Sequence, residues 1–309
     1  MVKYIAKRLL EIIPTFLLLT LLVYTILSLS PADPALMRLG STATKEAIEE
    51  VHHELGLDKP LLVRYGTYMW NLVTKGDMGK SWVMQTSVQK NFMERLPNTL
   101  LLTAMALLLT IVVGIAAGVF AAVNQNSAAD RITMILAMLL ISLPNFFLSL
   151  ICQIYICLKL RLLPVTGAST LRHFILPAIM LAASRVAGQV RLTRSSMLDV
   201  IGQDYIRTAY AKGCTKGRVI MHHALRNGLL PVITGIGNQV GGLVAGAVTV
   251  ETIFAIPGIG SMLVNAVRSN DIPEVMGPII FISLLVCVVN LFVDFLYAVV
   301  DPRVKLQMR

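Results

Sequence analysis

Apolar residues occur along this chain in long runs, separated by shorter polar stretches. A helix needs about 20 mostly apolar residues to cross the ~30 Å hydrocarbon core of a bilayer. Six runs approach or exceed that length, and they are Leu9–Ser30, Thr99–Val123, Ile132–Leu158, Phe174–Val190, Leu229–Phe254 and Gly277–Val300. The pattern therefore predicts an all-α, polytopic membrane protein with six transmembrane helices.

Two of the six runs contain a residue that is unusual in a straight transmembrane helix. The third run contains Pro144, and Arg185 interrupts the fourth. A charged side chain is costly in lipid, so Arg185 is expected to face protein or water. Three roles stay open for it: a partner for a substrate carboxylate, a member of a structural ion pair, or a side chain that reaches the interface because the fourth span is displaced.

Composition agrees with the membrane class. Of the 309 residues, 56% are hydrophobic and 14% are charged, whereas soluble domains carry about 25% charged residues. The mean hydropathy is +0.73. The net charge of +10 has its simplest cause in the excess of Lys and Arg that marks cytoplasmic loops, so we expect no nucleic-acid partner.

The distribution of charge predicts which segments lie in the cytoplasm. Basic residues precede the first run, which is longer than the apolar region of a signal peptide and has no A-x-A site after it. Eight cationic residues balance eight anionic ones in Pro31–Pro97, whereas seven cationic residues face two anionic ones in Arg191–Arg226. We therefore expect both termini and the basic loop in the cytoplasm.

These expectations divide the chain into three parts. Residues 1–30 form the cytoplasmic N-terminus and the first transmembrane helix. Residues 31–97 form an external subdomain, because this segment is too long for a tight loop and contains helix-like polar sequence such as TKEAIEEVHHELGL. Residues 98–309 form a five-helix core with a cytoplasmic loop at about 191–228.

The cytoplasmic loop contains the sequence DYIRTAYAKG, for which local rules predict a short helix. Asp204 is a good N-cap because its carboxylate can accept from free backbone N–H groups. Tyr205, Ile206 and Ala209 recur at helical spacing and form one apolar face. Gly213 can adopt the left-handed conformation that ends a helix.

A second short helix is expected after a cap at Thr215, running through Val219 and Leu225. The loop would then consist of two short helices at the membrane surface. Local chemistry leaves three uses open for an amphipathic helix of this kind. It can lie on anionic lipid, connect two spans, or fit the groove of a soluble partner.

Glycines are placed close together in two of the predicted spans. Gly114 and Gly118 form a GxxxG pattern in the second span. In the fifth span, glycines either leave room for a pore or let helices touch, and they are Gly235, Gly237, Gly241, Gly242 and Gly246.

Patterns of catalysis and of metal binding are missing from the sequence. There is no Walker A loop, no nucleophile triad and no carboxylate pair. The histidines are not arranged as a shared metal site, and they are His52, His53, His173, His222 and His223. We expect no catalytic, cofactor-binding or metal-binding residue in this chain.

The loop sequence DYIRTAYAKG followed by HHALRNGLLPVIT resembles the coupling loop of ABC-importer permeases, in the oligopeptide/dipeptide/nickel family and its first-permease subunit. Further stretches agree with that family: LGLDKPLLVRY (55–65), KGDMGKSW (75–82), LPNF (143–146), TRSSMLDV (193–200), VETIFAIPGIG (250–260) and DPRV (301–304). The wider E-A-A loop pattern is altered, since Arg207-Thr208-Ala209 stands at the E-A-A position and His223-Ala224-Leu225-Arg226 at the Ile-x-Leu-Pro position. The family shares that departure.

The resemblance implies a permease that forms half of the translocation path of an ATP-driven importer, in the cytoplasmic (inner) membrane of a prokaryote. Its expected partners are a second homologous permease, two ATP-binding subunits that carry ATP and Mg, and an extracytoplasmic substrate-binding protein. The short helix would dock in an ATP-binding subunit through its apolar face. The resemblance assigns coupling to Asp204, Tyr205, Ile206, Arg207, Thr208, Ala209, Ala211, Lys212 and Gly213. The candidate residues of the translocation path are Arg185, Asn238, Gly241 and Gly242.

Di- or oligopeptides are the expected cargo, and nickel or a metal chelate is the alternative within the same mechanism. Two other classes stay open at this point. A secondary transporter would need ion-coupling acids in broken helices, of which these spans hold few. A membrane scaffold could also carry a docking helix.

Overall fold

The computed structural model describes residues 2–40 and 42–300, with side chains described for residues 13–40 and 42–291. Over these residues the chain is helical, and its single pairing of extended residues is an isolated bridge between Lys80 and Ser87. The all-α prediction is confirmed. In chain order the helices are α1 (Val2–Ser28), α2 (Pro34–Leu39), α3 (Lys45–Glu54), α4 (Leu61–Lys75), α5 (Val88–Val123), α6 (Ala128–Ser142), α7 (Asn145–Cys152), α8 (Arg172–Ile201), α9 (Asp204–Ala211), α10 (Lys216–Arg218), α11 (Leu225–Ile253), α12 (Ile259–Arg268) and α13 (Ile272–Val300).

Hydropathy and length identify the membrane-spanning helices within the described residues. Four helical stretches are long and apolar enough to cross a membrane: Val88–Val123, Arg172–Ile201, Lys216–Ile253 and Ile272–Leu291. A bent pair of helices raises the number to five, and Ile13–Ser28 is a shorter apolar helix. The polytopic prediction is confirmed, but the predicted count of six full spans is not reproduced.

The third predicted span is not a straight helix. It is broken into Ala128–Ser142 and Asn145–Lys159, which are bent by 100°. Leu143, before the proline, is extended with ψ of 130°, as the ring of a following proline requires. Pro144 also has no N–H with which to continue the helical hydrogen bonds. The expectation of one span over this run is corrected to a broken pair.

The polar loop is shorter than the sequence indicates. Helix α8 continues to Ile201, eleven residues beyond the predicted end at Val190. The predicted second loop helix is not a separate element, because α10 passes through a π-helical segment, Val219–Ala224, directly into α11. What joins the two long helices is therefore residues 202–215, with α9 inside them.

One compact unit contains the residues up to Leu100 together with Ala255–Cys287. Tyr24 of α1 packs edge-on against Tyr65 of α4, with ring centroids 5.6 Å apart. The fully buried Asp271 carboxylate accepts hydrogen bonds from the Ser81 hydroxyl and the Trp82 backbone N–H. These bonds compensate the buried charge and tie the segment before α5 to the start of α13.

The second compact unit contains Leu101–Phe254 and, among the described residues, 288–300. Helix α8 packs against both α5 and α11. A Cβ added to Gly114 would lie 2.7 Å from Gln189, and one added to Gly118 would lie 2.5 Å from Thr193. The GxxxG pattern is thus a packing face for α8, as expected.

Glycines of α11 receive side chains of α8 in the same way. Gly228 faces Met197, Gly235 faces Leu192, Gly242 faces Arg185 and Gly246 faces Leu181. Because the partner numbers fall as the glycine numbers rise, the two helices run antiparallel. Gly235, Gly242 and Gly246 of the fifth span therefore serve helix contact, and Gly242 alone among these four glycines faces a charged group.

Candidate functional site

The N-cap of helix α9 lies one residue earlier in the sequence than predicted. Gly202 follows α8, and Gln203 is the N-cap of α9, with φ −77° and ψ 151° and no hydrogen bond from its side chain. Asp204 is the first helical residue and not the N-cap, and its side chain is fully in solvent. The helix ends at Ala211, with Lys212 as the C-cap.

Gly213 stops the helix as the sequence predicts. Its φ is 80°, in the left-handed region, and its N–H donates to the Tyr210 carbonyl at 2.9 Å. No atom lies within 4 Å of a Cβ built on Gly213. The backbone conformation alone therefore selects glycine here, because residues with a Cβ are disfavoured at positive φ.

The apolar face of α9 is covered by the chain itself. Ile206 and Ala209 are 1% and 7% exposed. They pack in a cluster with Met197 of α8 and with Val219 and Ile220 before α11. The expectation that this apolar face docks in a partner is therefore wrong, because it is already buried and anchors α9.

The opposite face of α9 is polar and open. At 100° per residue, it carries Asp204, Arg207, Thr208 and Ala211, all of which are exposed. Arg207 and Asp204 are 3.6 Å apart, and both side chains are largely in solvent, so this pair adds little stability. This face, and not the apolar one, is the accessible surface of α9.

Two tyrosines border the covered face. Tyr205 and Tyr210 are 41% and 43% exposed. The Tyr205 hydroxyl accepts a hydrogen bond from the Asn227 side chain at 2.9 Å, which joins α9 to α11. Helix α9 is therefore in contact with α8 through Met197 and is joined to α11 through Asn227.

The predicted path residues are only partly brought together. Arg185 and Gly242 line one cavity of about 270 Å³, within the second unit. Asn238 is exposed and Gly241 half-buried, and neither lines this cavity. Sequence reasoning missed the other lining residues, which are Asn145, Phe146, Leu181, Ser184, Gly246 and Thr249.

A second cavity, of about 240 Å³, lies in the first unit. Two sequence stretches at opposite ends of α4 meet there: Lys59 and Arg64 come from LGLDKPLLVRY, and Lys80 comes from KGDMGKSW. The Arg64 Nε and Tyr68 Oη atoms are buried without a hydrogen-bond partner. Burial raises the pKa of Tyr68, and Tyr24 and Asp77 act in the same direction. The cavity is cationic because its charged lining residues are Lys59, Arg64 and Lys80, and none of its lining residues is acidic.

Comparison with known proteins decides the family. Residues 114–306 match the family described as binding-protein-dependent transport system inner membrane component, and residues 1–103 match its N-terminal membrane component. The chain belongs to this family. The resemblance found in the sequence is confirmed.

Relatives of this permease align along its whole length. It is 39% identical over 313 residues to a putative peptide transport system permease protein of Brucella abortus (strain 2308), covering 99% of each chain. It is 39% identical over 305 residues to the glutathione transport system permease protein GsiC of Escherichia coli (strain K12), again with 99% of each covered.

Solved structures support the fold of the permease. The MetNI methionine ABC transporter in inward-facing conformations matches with a TM-score of 0.60 at 15% identity, over 69% of this chain and 97% of that one. An amino acid ABC transporter crystallised with histidines matches with a TM-score of 0.50 at 16% identity, over 70% and 94%.

Membership in this family settles the general class of the protein. The permease is a multi-pass membrane component of a transport system that depends on a binding protein. The two other classes left open by the sequence, a secondary transporter and a membrane scaffold, are set aside by this assignment.

Proposed function

We propose that the permease is one of two membrane subunits of an ATP-driven importer of di- or oligopeptides. The names of its relatives support a peptide cargo, since one is named for peptide transport and another for glutathione, itself a tripeptide. Nickel, the alternative cargo, is not favoured by these names.

The proposed assembly places the permease in a prokaryotic cytoplasmic membrane with both termini in the cytoplasm. It comprises a second homologous permease, two ATP-binding subunits that hold ATP and Mg, and an extracytoplasmic binding protein. The family description, which names dependence on a binding protein, supports the last of these partners. The permease itself is a transport subunit, and hydrolysis belongs to the ATP-binding subunits.

The main support for the mechanism is that one face of α9 is buried against the same chain while the other face is exposed. Its apolar face is fixed to α8 and to the start of α11, while Asp204, Arg207, Thr208 and Ala211 remain exposed. An ATP-binding subunit that grips the exposed face would move α9 together with the helices beneath it. Rigid-body motion of this kind is how closure of a partner becomes alternating access.

Helix α8 connects the coupling contact to the path. Met197, under α9, and Arg185, at the cavity, lie on the same uninterrupted helix. Their separation of twelve residues corresponds to about 18 Å along the axis at 1.5 Å per residue. A stiff helix of that length would carry a displacement of α9 to the cavity without intervening loops.

The segment of residues 31–97 would receive the binding protein. The cationic cavity of the first unit supports this, because Lys59, Arg64 and Lys80 present positive charge to any acidic side chain that reaches it. Complementary charge across such a contact would speed association and fix orientation.

Reconstitution of the complete importer in liposomes tests the proposal. We expect uptake of a labelled dipeptide to require the binding protein together with ATP and Mg, and to be independent of a proton or sodium gradient. Uptake driven by an ion gradient without ATP would refute the proposal, whereas ATP-dependent uptake of nickel with no uptake of peptide would support the mechanism and refute the cargo.

A further inference from the structure

Arg185 points sideways from α8 and not toward either end of it. Its guanidinium rests on Gly242 of the antiparallel helix α11, where an added Cβ would lie 2.8 Å from Cζ and 2.9 Å from Nη1. The helix contacts on either side, Leu181 with Gly246 and Leu192 with Gly235, place Gly242 level with Arg185. The side chain therefore does not reach for the membrane interface, which removes one of the three roles left open by the sequence.

A structural ion pair within the described part of this chain is removed as well. Within residues 13–40 and 42–291, Arg185 forms no salt bridge and no hydrogen bond. The guanidinium has five N–H donors, and its positive charge cannot be removed by loss of a proton. An arginine in a transmembrane helix without a partner in its own chain must be compensated by water, by a ligand or by a neighbouring subunit. The position of Arg185 at a cavity favours water or a ligand.

The cavity at Arg185 has a second unsatisfied group. The Oδ1 atom of Asn145, which also lines the cavity, is buried without a hydrogen-bond partner. Asn145 begins α7 directly after the break at Pro144, so the break places this side chain. Ser184 and Thr249 add hydroxyl groups, and Phe146 and Leu181 add apolar surface.

These groups define the chemistry of a ligand. It needs an anionic group for the guanidinium, and a planar carboxylate suits the arginine fork better than a point charge does. It also needs an N–H donor for the asparagine oxygen. At about 270 Å³ the cavity is smaller than a site for a drug-sized molecule, so it suits one end of a cargo and not all of it.

We propose that Arg185 binds the C-terminal carboxylate of a peptide as it crosses the membrane, with Asn145 accepting from an N–H of the last peptide unit. Gly242 is a positioning residue, because it leaves the space in which the guanidinium lies. The inference rests on the proposed function, peptide import, and adds a requirement for a free carboxylate at the end of the cargo.

A cycle of cargo and permease variants tests the inference in the complete reconstituted importer. ATP-dependent uptake is measured for one dipeptide and for the same dipeptide with a C-terminal amide, and is expressed per complex from the permease content of the vesicles. Any preference of the binding protein for the acid or the amide is the same for every permease variant. This preference therefore cancels when the acid-to-amide uptake ratios of the variants are compared.

We expect Arg185→Gln to reduce uptake of the acid by about 10- to 100-fold, the loss that corresponds to a hydrogen bond to a charged group. Uptake of the amide should change little, because that cargo lacks the group that Arg185 binds. Arg185→Lys should recover part of the uptake of the acid. Gly242→Ala should show the same selective loss as Arg185→Gln, because its Cβ displaces the guanidinium.

Gly235→Ala is the matched control, since it places a Cβ against Leu192 on the same pair of helices. We expect it to affect the two peptides equally. Equal loss of acid and amide uptake in both Arg185→Gln and Gly242→Ala would overturn the inference and leave Arg185 a structural role. A wild-type importer without ATP-dependent uptake of either peptide would instead overturn the proposed function, and this inference with it.

Discussion

The two faces of α9 predict different defects when glutamate replaces either of two alanines that are two residues apart. Ala209 is 7% exposed and lies in the cluster with Met197 and Ile220. Ala211 lies on the open face of the same helix. Glutamate at position 209 should therefore damage the permease itself, whereas glutamate at position 211 should damage its contact with the ATP-binding subunit.

The structure gives the magnitudes. Ala209→Glu buries a carboxylate without a partner, which costs roughly 3–5 kcal/mol in folding stability. Ala211→Glu places an acid at a helix C-terminus, which costs about 0.3–1 kcal/mol, and Arg207 four residues earlier offsets about 0.2–0.5 kcal/mol of that. If the same charge is left unpaired in the docking contact, a loss of ~3 kcal/mol weakens association about 100-fold.

Thermal unfolding of the purified permease in detergent measures the first effect, and recovery of ATP-binding subunits with a tagged permease measures the second. We expect a large drop in melting temperature for Ala209→Glu, and near-normal melting with lost subunits and lost uptake for Ala211→Glu. Serine is the small, neutral control. At position 211 it should leave both measurements unchanged, and at position 209 it should lower the melting temperature far less than glutamate does. Wild-type stability of Ala209→Glu, or normal assembly and uptake by Ala211→Glu, would refute this reasoning.

Three further predictions follow from other parts of the chain. Gly213→Val should destabilise the purified permease by about 1–2 kcal/mol, because a side chain is disfavoured in the left-handed conformation, whereas Gly213→Asn should be nearly neutral. Identical unfolding curves for the two variants would show that the backbone conformation at this position is irrelevant to stability. Lys80→Glu should weaken association of the binding protein with the permease in nanodiscs at low salt, and exposed Lys75→Glu is the control. Equal effects of the two substitutions would show that the cationic cavity is not where the binding protein contacts the permease. In a variant without native cysteines, a cysteine at position 75 should react with an impermeant reagent from outside and one at position 216 should not, with the reverse result contradicting the predicted orientation.

Local sequence signals predicted the position of α9 but not what covers it. The spacing of Ile206 and Ala209 identified an apolar face, and Gly213 identified the end of the helix. Periodicity cannot distinguish an apolar face that binds a partner from one that packs on the same chain. That distinction came from Met197 and Val219, which are brought to α9 by tertiary structure.

Hydropathy located the spans better than it located their ends. The predicted end of the fourth span was the last apolar residue before Arg191, yet the helix continues because Thr193 and Ser196 are buried in helix contacts despite their polarity. Ser196 donates to the Gly228 carbonyl of α11 at 2.7 Å. A hydropathy profile detects loss of apolar character, and not the end of the helical backbone.

The bend in the third span depends on contacts far away in sequence. Pro144 signals a break, but it does not set an angle of 100°. Gln153, beyond the bend, donates to the backbone carbonyls of Val165 and Ile253 at 3.0 and 3.1 Å. Because these acceptors are distant in the chain, the direction of α7, and hence the place of Asn145 in the cavity, could not be predicted from the sequence.

Photo-crosslinking from the open face of α9 tests the coupling mechanism most directly. A photoreactive amino acid is placed at position 211 of the permease in the assembled importer, and at exposed position 75 as a control. The account predicts that position 211 crosslinks to an ATP-binding subunit, with a yield that changes on addition of ATP, and that position 75 does not. Crosslinks from position 211 to lipid alone, with subunits assembled and uptake intact, would contradict it.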